Sequence, residues 1–228
     1  MKRSFINKVI AEAVDFFNSK QFLLPPYAYF SPEDWKQCSA DKTEIFDLLL
    51  GWDVTSFGSG NFEKTGLLLF TLRNGKAGST QYPKPYAEKI MMVREDQITP
   101  LHFHWYKRED IINRGGGVLV IELYHADTTA NKLTGEDFTI SVNGMKRVMK
   151  SGEKLCLAPG ESVCLEPQHA HRFWADPGKG PVLAGEVSMV NDDSSDNCFI
   201  DQLPRFEEIE EDAEPRFLLA NEYTKFLG

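Results

Sequence analysis

The 228-residue sequence predicts a mainly β fold, a sandwich or barrel, with a helical extension in front and a short helix behind. Three observations carry that expectation. Short β-rich runs recur after Gly51 with turn signals between them and no helical period to interrupt them. Helical patterning is confined to the first fifty residues and the C-terminal end. Hydrophobic residues make up 42% and charged residues 26%, ordinary for a globular protein, and 16 Phe, 7 Tyr and 4 Trp exclude a solvated coil. A chain of this length buries roughly 70% of its unfolded surface, enough for a core without disulfides.

The elements follow in order. Residues 5–19 place Ile6, Val9, Ile10, Ala13, Phe16 and Phe17 at spacings of three and four, which predicts an amphipathic helix. Pro25 and Pro26 break it. Ser31-Pro32-Glu33-Asp34 supplies an N-cap, Pro at the first helical position and acids in the first turn. A further helical stretch, 43–50, stops at Gly51. Strands are expected in GLLLFTLRNG (66–75), KIMMVRE (89–95), VLVIELYHA (118–126), FTISVNG (138–144), KLCLAPGESVCLEP (154–167) and VLAGEVSMV (182–190). Arg73-Asn74-Gly75, Asn143-Gly144 and Pro159-Gly160 are turn signals between them. Gly115-Gly116-Gly117 lacks the strand–loop–helix context and following Lys of a phosphate loop, and reads as the turn before VLVIELY. The acidic run 207–212 reads as a solvated surface segment. The apolar residues Phe217, Leu218, Leu219, Tyr223 and Phe226 read as a final helix packing on the barrel or on a partner. No linker-like composition divides the chain. It is expected to be one domain over 1–228, with the extension at 1–52, the barrel at about 60–200 and the C-terminal segment at about 204–228.

Several function classes fall away. A net charge of −9 disfavours a nucleic-acid partner, which wants a basic field. No run approaches the ~18 apolar residues of a membrane helix. MKRSFINKVIAEAVDFF has no continuous apolar stretch and no small-residue cleavage site, so it reads as mature protein. Cys38, Cys156, Cys164 and Cys198 show no CxxC spacing and read as reduced thiols of a cytoplasmic protein.

Chemistry concentrates in the histidines. Four of the five fall in two HxH pairs, His102/His104 and His169/His171. In a strand, positions i and i+2 face the same way, so each pair aims two imidazoles at one side. Glu109 follows His104 by five positions. Imidazoles with a carboxylate suit a first-row divalent ion with open positions, rather than a closed structural zinc site built on Cys.

His102-x-His104-x4-Glu109-x6-Gly116 resembles the first metal motif of the cupin superfamily, and Pro159-Gly160…Pro167-x3-His171-Arg172-Phe173 resembles the second. The resemblance implies a jelly-roll barrel and a metal held by His102, His104, Glu109 and His171. No Gly lies six before His102 and the second motif is irregularly spaced, so His169 competes with His171. The whole chain, through PYAEKIMMVREDQITPLHFHWYKREDIINRGGG to LAGEVSMVND, is similar to the bacterial D-lyxose isomerases. That similarity implies a dimeric aldose–ketose isomerase preferring Mn(II) and acting on D-lyxose/D-xylulose and D-mannose/D-fructose. Fe, Co and Zn also accept this donor set.

Moving a proton between carbons 1 and 2 of a sugar needs a base, and Glu186 is an acid inside an apolar late strand. Burial is expected to raise its pKa. Glu109 is a second candidate, weakened as a base if it binds metal. Lys107 and Lys89 are candidates to meet the developing oxyanion or to bind sugar hydroxyls. Trp105, Phe173 and Trp174 either form a sugar platform or fill the barrel. Two rivals use the same ligands: an Fe(II) cupin dioxygenase and a non-catalytic sugar-binding or storage cupin. The reactive groups Glu186, Lys107 and Lys89 speak against the latter.

Overall fold

The computed structural model describes residues 1–190, 192, 196–201, 203–204 and 207–227. The chain opens with helix α1 (Arg3–Ser19), a 3₁₀ turn (Pro26–Tyr29), α2 (Pro32–Gln37) and α3 (Thr43–Asp47). Ser31 caps α2 as expected: its hydroxyl accepts from the Asp34 amide, and the Asp34 carboxylate accepts from the Ser31 amide. Among the described residues fourteen strands follow: β1 (Gly51–Thr55), β2 (Leu67–Arg73), β3 (Tyr86–Val93), β4 (His102–Phe103), β5 (Glu109–Gly116), β6 (Leu119–Asp127), β7 (Lys132–Thr134), β8 (Phe138–Val142), β9 (Met145–Met149), β10 (Glu153–Leu157), β11 (Ser162–Leu165), β12 (His169–Ala175), β13 (Val182–Met189) and β14 (Cys198–Phe199). A 3₁₀ turn (Ala220–Glu222) and α4 (Tyr223–Leu227) end the described chain.

The strands form two antiparallel sheets. The larger runs β1-β2-β3-β13-β5-β11-β8-β9; the smaller runs β10-β6-β12-β4-β14, with β7 on β6. Leu69, Met91 and Ile111 of the larger sheet pack against Ile121, Leu123 and Phe173 of the smaller, closing a jelly-roll barrel around one core. At the end of β5, Gly116 has φ +95°, and a Cβ there would lie 2.2 Å from the Pro181 carbonyl oxygen. The glycine run is therefore the bend into β6, as its composition predicts.

Helix α1 covers the outer face of the larger sheet. Ile6, Val9, Ile10, Ala13 and Phe17 pack on Trp52, Val54, Leu68, Phe70, Ile90 and Leu183. Strands β2 and β3 are thus buried on both faces, and this is why LLLF and KIMMV show runs rather than alternation.

One expectation needs correction and two need refinement. The helical segment ends at Asp47, and GWDVT at 51–55 is already a barrel strand, so the sheet starts well before residue 60. The C-terminal segment packs on the barrel in part, as expected, through Phe217 and Leu219 on Trp52. Its final helix docks on the helical extension: Tyr223 meets Trp35 and Phe46 with ring centroids 5.1 and 4.7 Å apart, and its hydroxyl reaches the Leu50 carbonyl. The acidic run 207–212 is largely exposed, as expected, and it also has a structural role. The Glu210 carbonyl accepts from the Arg3 amide at 2.8 Å and Asp212 accepts from the Ser4 amide at 2.9 Å, so this run satisfies orphan N–H groups in the first turn of α1.

Candidate functional site

Strand alternation decides what enters the barrel. On β3, Lys89 shares the inner face with Met91 and Val93; on β13, Glu186 shares it with Val182 and Ala184; on β5, Glu109 shares it with Ile111. Glu186 pairs in register with Lys89 on one side and Ile111 on the other. The larger sheet thereby delivers Lys89, Glu186 and Glu109 to one patch, and Lys107 enters from the loop before β5. The smaller sheet answers from across the barrel with His102 and His171, register partners on β4 and β12, and His104 just beyond β4. These residues, with Phe57, Phe173, Asn197 and Phe199, line one cavity.

The three imidazoles are fixed in one tautomer. Nδ1 of His102 lies 2.8 Å from the Pro100 carbonyl, that of His104 2.6 Å from the Asp196 carbonyl, and that of His171 3.1 Å from the His169 carbonyl. A carbonyl only accepts, so each Nδ1 donates its proton and each neutral ring keeps a lone pair on Nε2. Burial, with the neighbouring His171 and His104 rings, holds His102 well below the usual imidazole range. One nitrogen from each ring lies within 4.8 Å of its two counterparts. Glu109 Oε1 sits 3.0 Å from His171 Nε2 and 3.5 Å from His104 Nε2. These are acceptors facing acceptors. Among the described residues, His104 Nε2 and Glu109 Oε1 are accordingly buried without a hydrogen-bond partner. A bound cation would meet these lone pairs, and the imidazole–carboxylate set fits a first-row divalent ion.

Beside this lies a row of charge. Lys107 Nζ is 2.9 Å from Glu109 Oε2 and 3.0 Å from Glu186 Oε1, and Lys89 Nζ is 3.3 Å from the same Glu186 oxygen. The expected upward shift of Glu186 is overturned. Burial does push its carboxyl up, but Lys107, Lys89 and the Lys107 hydrogen bond together pull it below the ordinary carboxylate range. Glu109 likewise is raised by burial and brought well below that range, by Lys107 foremost.

The sequence profile of the D-lyxose isomerase family matches residues 1–223. This chain belongs to that family. It is 51% identical over 229 residues to the D-lyxose/D-mannose isomerase of Serratia proteamaculans, covering all of both chains. It is 52% identical over 228 residues to the D-lyxose/D-mannose isomerase of Escherichia coli O157:H7, covering 99% of this chain and all of the relative. Among solved structures, the L-ribose isomerase of Acinetobacter sp. DL28 with L-ribose superposes at a TM-score of 0.59 with 14% identity, covering 89% of this chain and 93% of the other. The Cellulomonas parahominis L-ribose isomerase with L-psicose gives 0.55 and 15%, covering 92% and 98%. Likeness at that identity concerns the fold, which is the cupin-type barrel expected.

Against the sequence expectations for this D-lyxose isomerase family chain, the structure brings together His102, His104, His171, Glu109, Lys107, Lys89, Glu186 and Phe173. Trp105 it places elsewhere. The chain turns after His104, and the indole packs edge-on to Phe103 and donates to Asn131 Oδ1 at 3.0 Å, outside the cavity lining. Trp174 alternates to the outer face of β12, beneath the Lys154 ammonium. His169 shares the strand face of His171 but lies farther along it, 5.1 Å from the Phe138 ring. Its Nδ1 accepts from the Glu166 amide, the opposite tautomer, and burial lowers its pKa to about 4. Sequence reasoning missed Phe57, Asn197 and Phe199, which cover the cavity, and Asp196, which holds His104. Nothing in DNCF (196–199) signals metal or sugar chemistry; only the folded chain brings these residues to the site.

Proposed function

We propose that this protein is a metal-dependent aldose–ketose isomerase interconverting D-lyxose with D-xylulose and D-mannose with D-fructose. One observation carries the reading: one ring nitrogen each from His102, His104 and His171 converge within 4.8 Å, with Glu109 Oε1 beside His171 and His104 and a Lys107–Glu186–Lys89 row adjoining. His102, His104, Glu109 and His171 would hold Mn(II), with His171 favoured over His169 by its tautomer. A bound divalent ion supplies polarisation of the sugar carbonyl and stabilisation of charge on the sugar oxygens.

The chain's own groups handle the protons. Glu186, kept anionic by its lysines, accepts the proton from carbon 2 while Lys107 gives one to the carbonyl oxygen, leaving an enediol. In the second half Glu186 returns its proton to carbon 1 and the oxygen on carbon 2 restores the proton of Lys107. Lys89 orients Glu186 and is placed to bind a hydroxyl. Phe57, Phe173 and Phe199 keep bulk water from the reacting carbons.

The same proposal includes a homodimer in the cytoplasm. Four free thiols suit a reducing compartment, and Tyr86 and Met189, register partners on the larger sheet, are 45% and 51% exposed, apolar side chains suited to a subunit interface. The deciding experiment is chelation followed by Mn(II) reconstitution, with D-lyxose, D-mannose and their phosphate esters as substrates. Full turnover of free sugar after complete metal removal, or a strong preference for the phosphate esters, would overturn the reading.

A further inference from the structure

Asp196 makes an unusual set of bonds. Its main-chain carbonyl accepts from His104 Nδ1 at 2.6 Å. Its Oδ1 accepts from the Trp105 amide at 2.8 Å and the Tyr106 amide at 2.9 Å, and its Oδ2 accepts from the Lys107 amide at 2.9 Å. One residue, 7% exposed, thus grips four consecutive residues, 104 to 107. The two ends of that stretch are His104, which faces the three-imidazole convergence, and Lys107, which bridges Glu109 and Glu186. Successive N–H groups turned to one point form a concavity for an anion, and bonds to an ionised acceptor are stronger than neutral ones. A carboxylate offers acceptors on both oxygens. An amide of the same shape offers one acceptor and a competing donor.

We infer that Asp196 is a positioning residue for both halves of the site, its carbonyl orienting His104 and its carboxylate setting the loop that aims Lys107. The inference rests on the proposed metal-dependent isomerase reading. It divides the two roles between main chain and side chain, and that division is what can be tested. In D196N the carbonyl remains, but at least one of the three amides faces an NH₂ group.

The experiment measures Mn(II) binding to apo D196N by the EPR signal of free Mn(II), thermal unfolding, and kcat and KM for D-lyxose per bound ion. The expected result is Mn(II) affinity within about threefold of the parent and kcat per bound ion lower by about 10- to 100-fold, the usual range for groups supporting a metal site. KM should change less than kcat. In a Lys107→Met background D196N should cost nothing further, because the carboxylate acts through Lys107. An unchanged kcat per bound ion overturns the inference, as does an equal loss with and without Lys107. Loss of the cooperative thermal transition in D196N also overturns it, since the carboxylate would then serve the fold as a whole. A parent that needs no metal sinks the isomerase reading instead; a metal-dependent parent with an unimpaired D196N sinks only the role of Asp196.

Discussion

Two charge clusters in this chain, one wholly buried and one built on a buried Arg3–Glu222 pair, use nearly the same residue types and do different things. At the chain ends, Arg3 is fully buried between Glu211 and Glu222, with Lys225 on Glu211. In the barrel, Lys107 and Lys89 lie among Glu109 and Glu186. Each holds two positive and two negative groups. The difference is in the lone pairs. Every carboxylate oxygen of the terminal cluster has a donor: Arg3 serves both oxygens of Glu211 and both of Glu222, and the Leu219 amide adds a third bond to Glu222. In the barrel, Glu109 Oε1 and His104 Nε2 have none among the described residues. Buried charge alone does not mark a functional site; buried charge with unmet lone pairs does.

The sharpest way to break that contrast is to remove a group at the unmet point. His171→Ala should lose bound Mn(II) and reduce turnover by about 10³-fold or more, the scale of several kcal/mol of transition-state stabilisation. His169→Ala, on the same strand face, should keep its metal. Elemental analysis of both proteins with a D-lyxose assay checks this, and the reverse pattern would transfer the ligand role to His169.

Within the barrel cluster, Glu186→Gln should lower kcat by about 10² to 10⁴-fold with metal content intact, as expected for loss of a general base. The loss of stability should be smaller than for Arg3→Met, because Lys107 keeps Glu109 at 2.9 Å and the amide oxygen of the substituted side chain still accepts from Lys89 and Lys107. In heavy water the parent should incorporate solvent deuterium at carbon 1 of the product, read by NMR. Complete transfer of the carbon 2 hydrogen without exchange would favour a hydride shift and remove Glu186 from the mechanism.

The terminal cluster should respond in the opposite way. Arg3→Met leaves Glu222 buried and unpaired, a change that costs about 3–5 kcal/mol. Denaturant unfolding should show that loss, while kcat per folded, metal-loaded molecule stays at the parent value. An Arg3→Met protein with parental stability would mean that the docked termini contribute nothing to the fold.

The two clusters also differ in how far they can be read from sequence. The converging imidazoles were legible because HxH spacing aims two rings at one side and five histidines leave few alternatives, although His104 lies just past β4 and His169 falls outside the cluster. Glu186 and the two lysines stood out as charges in apolar runs. What those charges do to one another was not legible: the downward shift of Glu186 depends on Lys107 and Lys89, on separate segments. The missed strands have local causes. GWDVT is too short to show alternation, and REDIINRGGG hides β5 behind charges and glycines. The Arg3 cluster left no signal, because its partners lie 208 and 219 positions away. The clasp of residues 104–107 by Asp196 is equally silent, 89 to 92 positions apart.

The smallest expected effect concerns acid. The Arg3 hydrogen bonds bring Glu211 down to about 2, against an ordinary value near 4.5. Hydrogen bonds to Ser4 and to Ser56 likewise place Asp212 and Glu207 below their usual range, the latter despite burial. A carboxyl whose pKa is lower in the folded chain releases its proton more readily there, so the unfolded chain binds more protons over that window. The contribution of Glu211 is therefore complete above about pH 4.5 and is lost as pH falls toward about 2. Glu211 is 37% exposed, so solvent screens the pair and the effect is modest. Glu109 and Glu186 lose stability on acidification in the same direction, so the parent alone cannot separate the clusters. Glu211→Gln can. Its melting temperature should lie below the parent's at pH 6 and converge on it toward pH 2, while loss of the site carboxylates continues in both. A gap that stays constant across this range would show that Glu211 holds the termini by packing rather than by charge.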